Sequence, residues 1–141
     1  MSTGVLESAR KHPAREMAIH SIRCVENGDR EGWLKMWAED GLIQDPVGVS
    51  PLDPEGGGHR GIEAITLFYD TVIGPTDLRF EIRQSFACGD ECANVGTITS
   101  KVGEGMISRT ELVMVYRLDA QGKLASLRAF WEFEDTAGGI F

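Results

Sequence analysis

One carboxylate in this chain stands where a general base could work. Asp45 closes the run Leu42-Ile43-Gln44 and is followed by Pro46-Val47-Gly48. Pro46 presses the residue before it toward an extended backbone, and Gly48 relaxes the turn beyond. A carboxylate at the end of an apolar strand, held against apolar walls, has its ionised form disfavoured and becomes a useful proton acceptor. The plainer reading is a turn former, since Asp before Pro often starts turns. On this stretch alone the turn reading comes first.

The other chemistry-bearing clusters are weaker. Gly56-Gly-Gly-His-Arg-Gly61 fits G-x-G-x-x-G, but that pattern must follow a strand directly, and roughly ten loop residues intervene here, so a dinucleotide site is rejected. His59 and Arg60 then read as helix-entry residues at the mouth of whatever site the loop borders. Cys88 and Cys92 flank a turn and could face each other. Zinc needs four ligands, no further Cys or His pair lies nearby, and no metal or cofactor is expected.

The elements that must position Asp45 follow from periodicity. Residues 1–12 read as a loose arm with room for a helical turn. A helix fits Pro13 to Glu26, with proline at its tolerated first position and a stripe of Ala14, Met17, Ala18, Ser21, Ile22 and Val25. His20 falls on the outer side. Ser21 is the polar exception in the stripe, and a bond back to its own helix is the ordinary explanation. Gly28 and Asp29 end this helix and cap the next, which is predicted to run to about Ala38 with Trp33, Leu34 and Trp37 on one face. Both tryptophans read as core first, with Trp37 also a candidate pocket residue. Pro46 to Arg60 is a long loop, and long ordered loops often serve as lids.

A third helix is predicted over Gly61 to Ile73, with Ile62, Ile65, Tyr69, Val72 and Ile73 inward. Tyr69 on that stripe must bury its ring and find its hydroxyl a partner. From Leu78 the period becomes two, and turns at Gly89-Asp90, Gly103-Glu104-Gly105 and Asp119-Ala-Gln-Gly122 imply antiparallel hairpins. The result is an α+β chain with helices on one face of a curved sheet of four or five strands. Residues 135–141 are expected to fray.

Size and charge narrow the function. A chain of 141 residues is one domain by length and can bury a core without staples. A net charge of −8 leaves no basic surplus for nucleic acid or an anionic membrane. No apolar run is long enough for a signal peptide or a membrane span. Three cysteines form no disulfide framework, so a reducing cytoplasm is the expected setting.

Together, Asn27-Gly28-Asp29, Asp45-Pro46-Val47-Gly48, Phe68-Tyr69 and Gly122-Lys123…Arg128-Ala129-Phe130-Trp131, in this order of elements, resemble the nuclear transport factor 2-like (SnoaL-like) superfamily, and within it the ketosteroid isomerase-like branch. The resemblance covers roughly Ser21 to Glu134 and implies a cone-shaped α+β barrel, three N-terminal helices in a curved antiparallel sheet. It implies that Asp45 is the base that shuttles a proton between two carbons of an enone, a task that in those isomerases also needs an oxyanion hole. It further implies a small hydrophobic ligand and a homodimer through the outer sheet face.

This sequence departs from the pattern at both oxyanion donors. The family tyrosine falls on Ser21 and the family's protonated aspartate on Met114, and methionine cannot donate a hydrogen bond. Tyr69 matches the tyrosine that supports the missing one and is the first replacement donor. Tyr116, two residues past Met114 on the same strand face, is the second, although a satisfied core tyrosine is the ordinary reading for it. Trp131 matches an aromatic pocket wall, and Phe80, Leu112, Met114 and Trp131 would make the pocket apolar. The leading expectation is therefore a proton-transfer enzyme of the steroid delta-isomerase kind. The alternatives are a dehydratase or cyclase of the same fold, a non-catalytic carrier of a steroid- or polyketide-like ligand, and an interaction protein using the outer sheet.

Overall fold

The first long helix begins where proline allows and ends where glycine must. In the computed structural model, which describes residues 4–101, 103 and 105–133, α2 spans Pro13–Asn27, and its cap Gly28 adopts φ 68°. A left-handed cap of that kind suits glycine, which has no Cβ to clash. The Asp29 side chain accepts from Gly32 N–H and starts α3, Arg30–Lys35. A short helix, α1 (Gly4–Ser8), precedes them, and its Leu6 is buried in the core. The arm expected to be loose is thus anchored through one leucine.

The second predicted helix stops early. Met36 C=O accepts from Leu124 N–H at 2.8 Å, and from Trp37 the chain is strand β1, Trp37–Gln44. Trp37 therefore sits in the sheet, edge-on to Trp33 with ring centres 5.4 Å apart. Periodicity alone could not find this boundary, because the partner that captures the backbone lies far along the chain.

The loop after β1 folds back to give β2, His59–Arg60, before α4, Ile62–Phe68. That helix continues as a π-helix over Tyr69–Ile73, closed by Gly74 N–H to Tyr69 C=O at 2.7 Å. Ile62, expected inward, is 37% exposed. Strands β3 (Asp77–Cys88), β4 (Glu91–Lys101), β5 (Ile107–Leu118) and β6 (Leu124–Phe130) complete the chain. Residues 135–141, where fraying was expected, lie outside the described residues. Among the described residues no helix is long and apolar enough to cross a membrane.

The curved, open sheet has six strands in the order β2-β1-β6-β5-β4-β3, more than the four or five expected. The hairpins from β3 to β6 are antiparallel, but β1 lies parallel to β6. Ala18 and Ile22 of α2, Trp33 of α3 and Ile65 of α4 are fully buried against the concave face. Cys88 and Cys92 do not face each other, since Cys88 is exposed and Cys92 is buried.

The curvature has a local cause. β3 bulges between Ile82 and Gln84, opposite Gly96 of β4. A Cβ on Gly96 would lie 2.1 Å from Glu81 C=O, so the two backbones approach this closely only because the side chain is absent. Bulges bend and twist a strand. Gly96→Ala is expected to cost about 1–3 kcal/mol, the usual overpacking penalty, read as a lower urea midpoint. An unchanged midpoint would show that the bulge does not depend on this glycine.

Candidate active site

Asp45 leaves β1 at the rim of the concave face. Ile43, fully buried, fixes which side is inward, and Asp45 two residues on shares that side. Across the sheet, Val47 N–H donates to Ala129 C=O at 2.9 Å, which brings the end of β1 beside the end of β6. Trp131, just past β6, then donates its indole Nε1–H to Asp45 Oδ1 at 2.6 Å. The Trp131 ring is itself held by stacking on Phe133, centres 5.2 Å apart. The Asp45–Pro46 peptide bond is cis.

These two residues border a narrow cleft enclosing about 480 Å³, its open mouth included. Leu52 from the loop, Val72 and Ile73 from the π-helix, and Leu78, Ile98 and Leu112 from the sheet make its walls apolar. Thr76, Ser100 and Thr110 supply the hydroxyls. Burial raises the Asp45 pKa above the usual carboxylate value, opposed first by the Trp131 hydrogen bond and then by the charge of His59. A carboxylate of this kind is a stronger base than one in water and still has a donor to orient it.

Of the residues read from sequence as the site, Asp45, Leu112 and Trp131 line this cleft. Phe80 packs in the core below it. Trp37 is buried against Trp33, away from the cleft. Tyr69 is also buried, its ring centre 5.3 Å from Trp33, and burial raises its pKa. The charged groups around it are Arg30, Asp29 and Asp70 rather than Asp45.

Ser21, Met114 and Tyr116 meet beneath the cleft. Trp33 Nε1–H donates to Ser21 Oγ at 3.2 Å. Ser21 opposes the rise in the Tyr116 pKa, and the Tyr116 O–H donates to Met114 Sδ at 3.7 Å. Burial pushes the Tyr116 pKa up, and the Asp45 charge pushes it the same way. Tyr116 is therefore a protonated donor that feels Asp45 and holds only a thioether, a weak acceptor.

The sequence reading missed His59 as a neighbour of Asp45 and most of the cleft wall. His59 pairs with Ile43 across β1 and β2, so it shares the inward face with Asp45. Its ring lies 4.8 Å from Phe68, and its buried Nε2 has no partner among the described residues. The expected helix entry is thus a strand residue behind the carboxylate. For the walls a signal existed, because Thr110 has the same strand phase as Leu112 and Met114.

Comparison with known proteins agrees with this architecture. A family described as SnoaL-like domain matches residues 18–127. The structure of a Delta 5-3-ketosteroid isomerase from Mycobacterium sp. is 34% identical with a TM-score of 0.86, covering 90% of this chain and 98% of that one. The Mycobacterium tuberculosis protein RV0760c, solved in complex with estradiol-17beta-hemisuccinate, is 33% identical with a TM-score of 0.85, covering 90% and 99%. An uncharacterised PhzA/B-like protein of Pseudomonas aeruginosa is 25% identical over 124 residues, 84% of this chain and 83% of the relative.

The raised pKa of Asp45 has a cost in stability. Well below pH 3.8, folded and unfolded chains both keep this carboxyl protonated. As pH rises from there toward the raised folded value, the unfolded chain releases its proton first, so the fold loses stability and does not regain it at higher pH. Asp45→Asn removes that loss and keeps an oxygen for the Trp131 N–H. Its melting temperature is expected to exceed that of the wild type at pH 7, with the gain shrinking toward pH 4. A pH-independent difference would show that desolvation of Asp45 does not govern the site.

Proposed function

We propose, because the chain belongs to the SnoaL-like domain family and carries a base-like carboxylate in an apolar cleft, that it moves a proton within a small hydrophobic carbonyl compound. The observation that carries this reading is Asp45 at the cleft rim, raised in pKa by burial and oriented by the Trp131 indole at 2.6 Å. Asp45 takes a proton from the carbon beside the carbonyl of a β,γ-unsaturated ketone. The electron pair passes to the carbonyl oxygen as a dienolate, and the same proton returns at the γ-carbon. No atom is gained or lost.

Charge develops on the oxygen, and in this reading Tyr116, beneath the cleft, is the donor that meets it. Its proton rests on Met114 Sδ, a bond readily exchanged for one to an oxyanion. In this reading the donor role expected of Tyr69 passes to Tyr116. A steroid-like substrate is favoured by the ketosteroid isomerase and the steroid-ester complex among the similar structures. A dehydratase or cyclase would use the same base. Pairing of two copies through the outer sheet is supported by exposed Phe86, Ile107 and Phe130 on that face.

A second reading, a carrier without turnover, is favoured by Ser21 and Met114 standing where the family holds its two oxyanion donors. Incubation with a β,γ-unsaturated 3-oxosteroid, followed by conjugated-enone absorbance, separates the two. Asp45→Asn is expected to abolish conversion while leaving ligand binding intact. Tyr116→Phe is expected to cost about 10²–10³ in rate, the usual loss for one oxyanion donor, and Tyr69→Phe only a few-fold. Steroid binding with no conversion and no deuterium uptake at the α-carbon would establish the carrier.

A further inference from the structure

The hydroxyls that line the cleft are gathered in the half away from its base. Phe130 pairs with Val113, so Trp131, the next residue, stands level with Leu112. Leu112 in turn pairs with Gly96 across β4 and β5. Thr110 pairs with Ile98 one step along the same face, and Ser108 pairs with Ser100 one step further. Ser100 is thus four residues from Gly96, about 13 Å along the strand at the usual rise per residue. On its other side Ser100 pairs with Leu78 of β3, and Thr76 joins the π-helix to that strand. Thr76, Ser100 and Thr110 line the same cleft as Asp45 and Trp131.

The hydrogen-bonding capacity at this end has a definite character. Thr76 Oγ1–H donates to Val72 C=O at 3.0 Å. A hydroxyl has one proton, so toward the cleft Thr76 offers only lone pairs. Ser100 is buried and has a proton to give. Ser108 backs it across the strand pair without lining the cleft itself. Ser108 is 3% exposed, and its Oγ has no partner among the described residues. An unmade buried hydrogen bond costs free energy, and an all-hydrocarbon ligand gives these serines nothing in return. Alanine or valine at the same positions would serve such a ligand better.

We infer that this end of the cleft is a subsite for an alcohol group, carried by the ligand at the opposite end from its carbonyl. The alcohol O–H donates to Thr76 Oγ1, and the alcohol oxygen accepts from Ser100. A ketone here would set a second acceptor against Thr76, and a hydrocarbon would leave both hydroxyls unpaired. The ligand class is therefore a rigid, hydrophobic hydroxyketone, with its two oxygens separated by the length of an apolar skeleton. This deepens the proposed function and rests on it for the carbonyl beside Asp45.

The test is binding, measured by calorimetry with testosterone, androstenedione and 17-deoxytestosterone. These enones share one skeleton and carry an alcohol, a ketone or no oxygen at the carbon farthest from the enone. All three are already conjugated, so the measurement is independent of turnover. Wild type is expected to bind the alcohol about tenfold more tightly than either analogue, the worth of one net hydrogen bond. Ser100→Ala is expected to erase the preference over the deoxy compound, and Thr76→Val the preference over the ketone. If Thr76→Val does not fold, Ser100→Ala decides alone. Equal affinities of the wild type for the three compounds overturn the inference, as does absence of binding or a preference that survives the substitutions. Asp45-dependent conversion without an alcohol preference removes the subsite and leaves the proton-transfer reading in place. An alcohol preference that Ser100→Ala erases, in a wild type that converts no β,γ-unsaturated ketone, keeps the subsite and removes that reading.

Discussion

The parallel pairing of β1 with β6 is the constraint on which the site depends. Asp45 and Trp131 are separated by most of the chain, and each lies just beyond the end of its strand. The register Ile43↔Leu127 and Gln44↔Arg128 brings those two ends together. On the outer side the same register lets Arg128 Nε donate to Gln44 Oε1 at 2.7 Å. On the inner side it leaves an indole N–H within reach of a carboxylate. A slip of one residue would turn Asp45 outward, and the base would become an ordinary surface acid. The short strand β2 adds to this arrangement by holding His59 on the same inward side.

The interior below that rim divides into two layers of different character. The upper layer is largely hydrocarbon, with Asp45 its one carboxylate and Thr76, Ser100 and Thr110 its hydroxyls, and burial there raises the proton affinity of Asp45. The lower layer is polar, with Ser21 and the Tyr116 hydroxyl set among Trp33 and Met114. Trp33 can only give a hydrogen bond, and Ser21 Oγ accepts it. Such a layer costs stability, because a buried donor without a strong acceptor has lost its water. Deletion of the Tyr116 hydroxyl would relieve that cost, which is the usual opposition between function and a well-packed core.

Much of this was legible in the sequence, and the exceptions share a physical cause. The α2 helix, the hairpins and Asp45 at the end of its strand were all encoded within short windows, by Pro13, by alternation and by the Asp-Pro-Val-Gly run. The early end of α3 at Lys35 was not, since it follows from Leu124 donating to Met36. Neither β2 nor the parallel neighbour of β1 has a local signature. For the same reason the sequence alone cannot separate the surroundings of Tyr69 from those of Tyr116. Both are buried tyrosines on inward faces, and only the tertiary fold shows that one faces Trp33 and the Arg30–Asp70 ion pair while the other touches Met114 and senses Asp45.

The π-helix at Tyr69–Ile73 is in effect one residue inserted into a helix. An α-helix through this region would set each residue a hundred degrees from the last. The wider turn delays that phase, so Tyr69 stays with the tryptophan core while Val72 and Ile73 both reach the cleft. The helix thus belongs to two surfaces out of step with each other. The loss of one codon between them would leave every element in place, yet it would rotate the end of the helix and present the cleft with a different wall. Changes in ligand preference among proteins of this architecture can therefore arise from chain length at this turn, with no substitution at the base or beneath it.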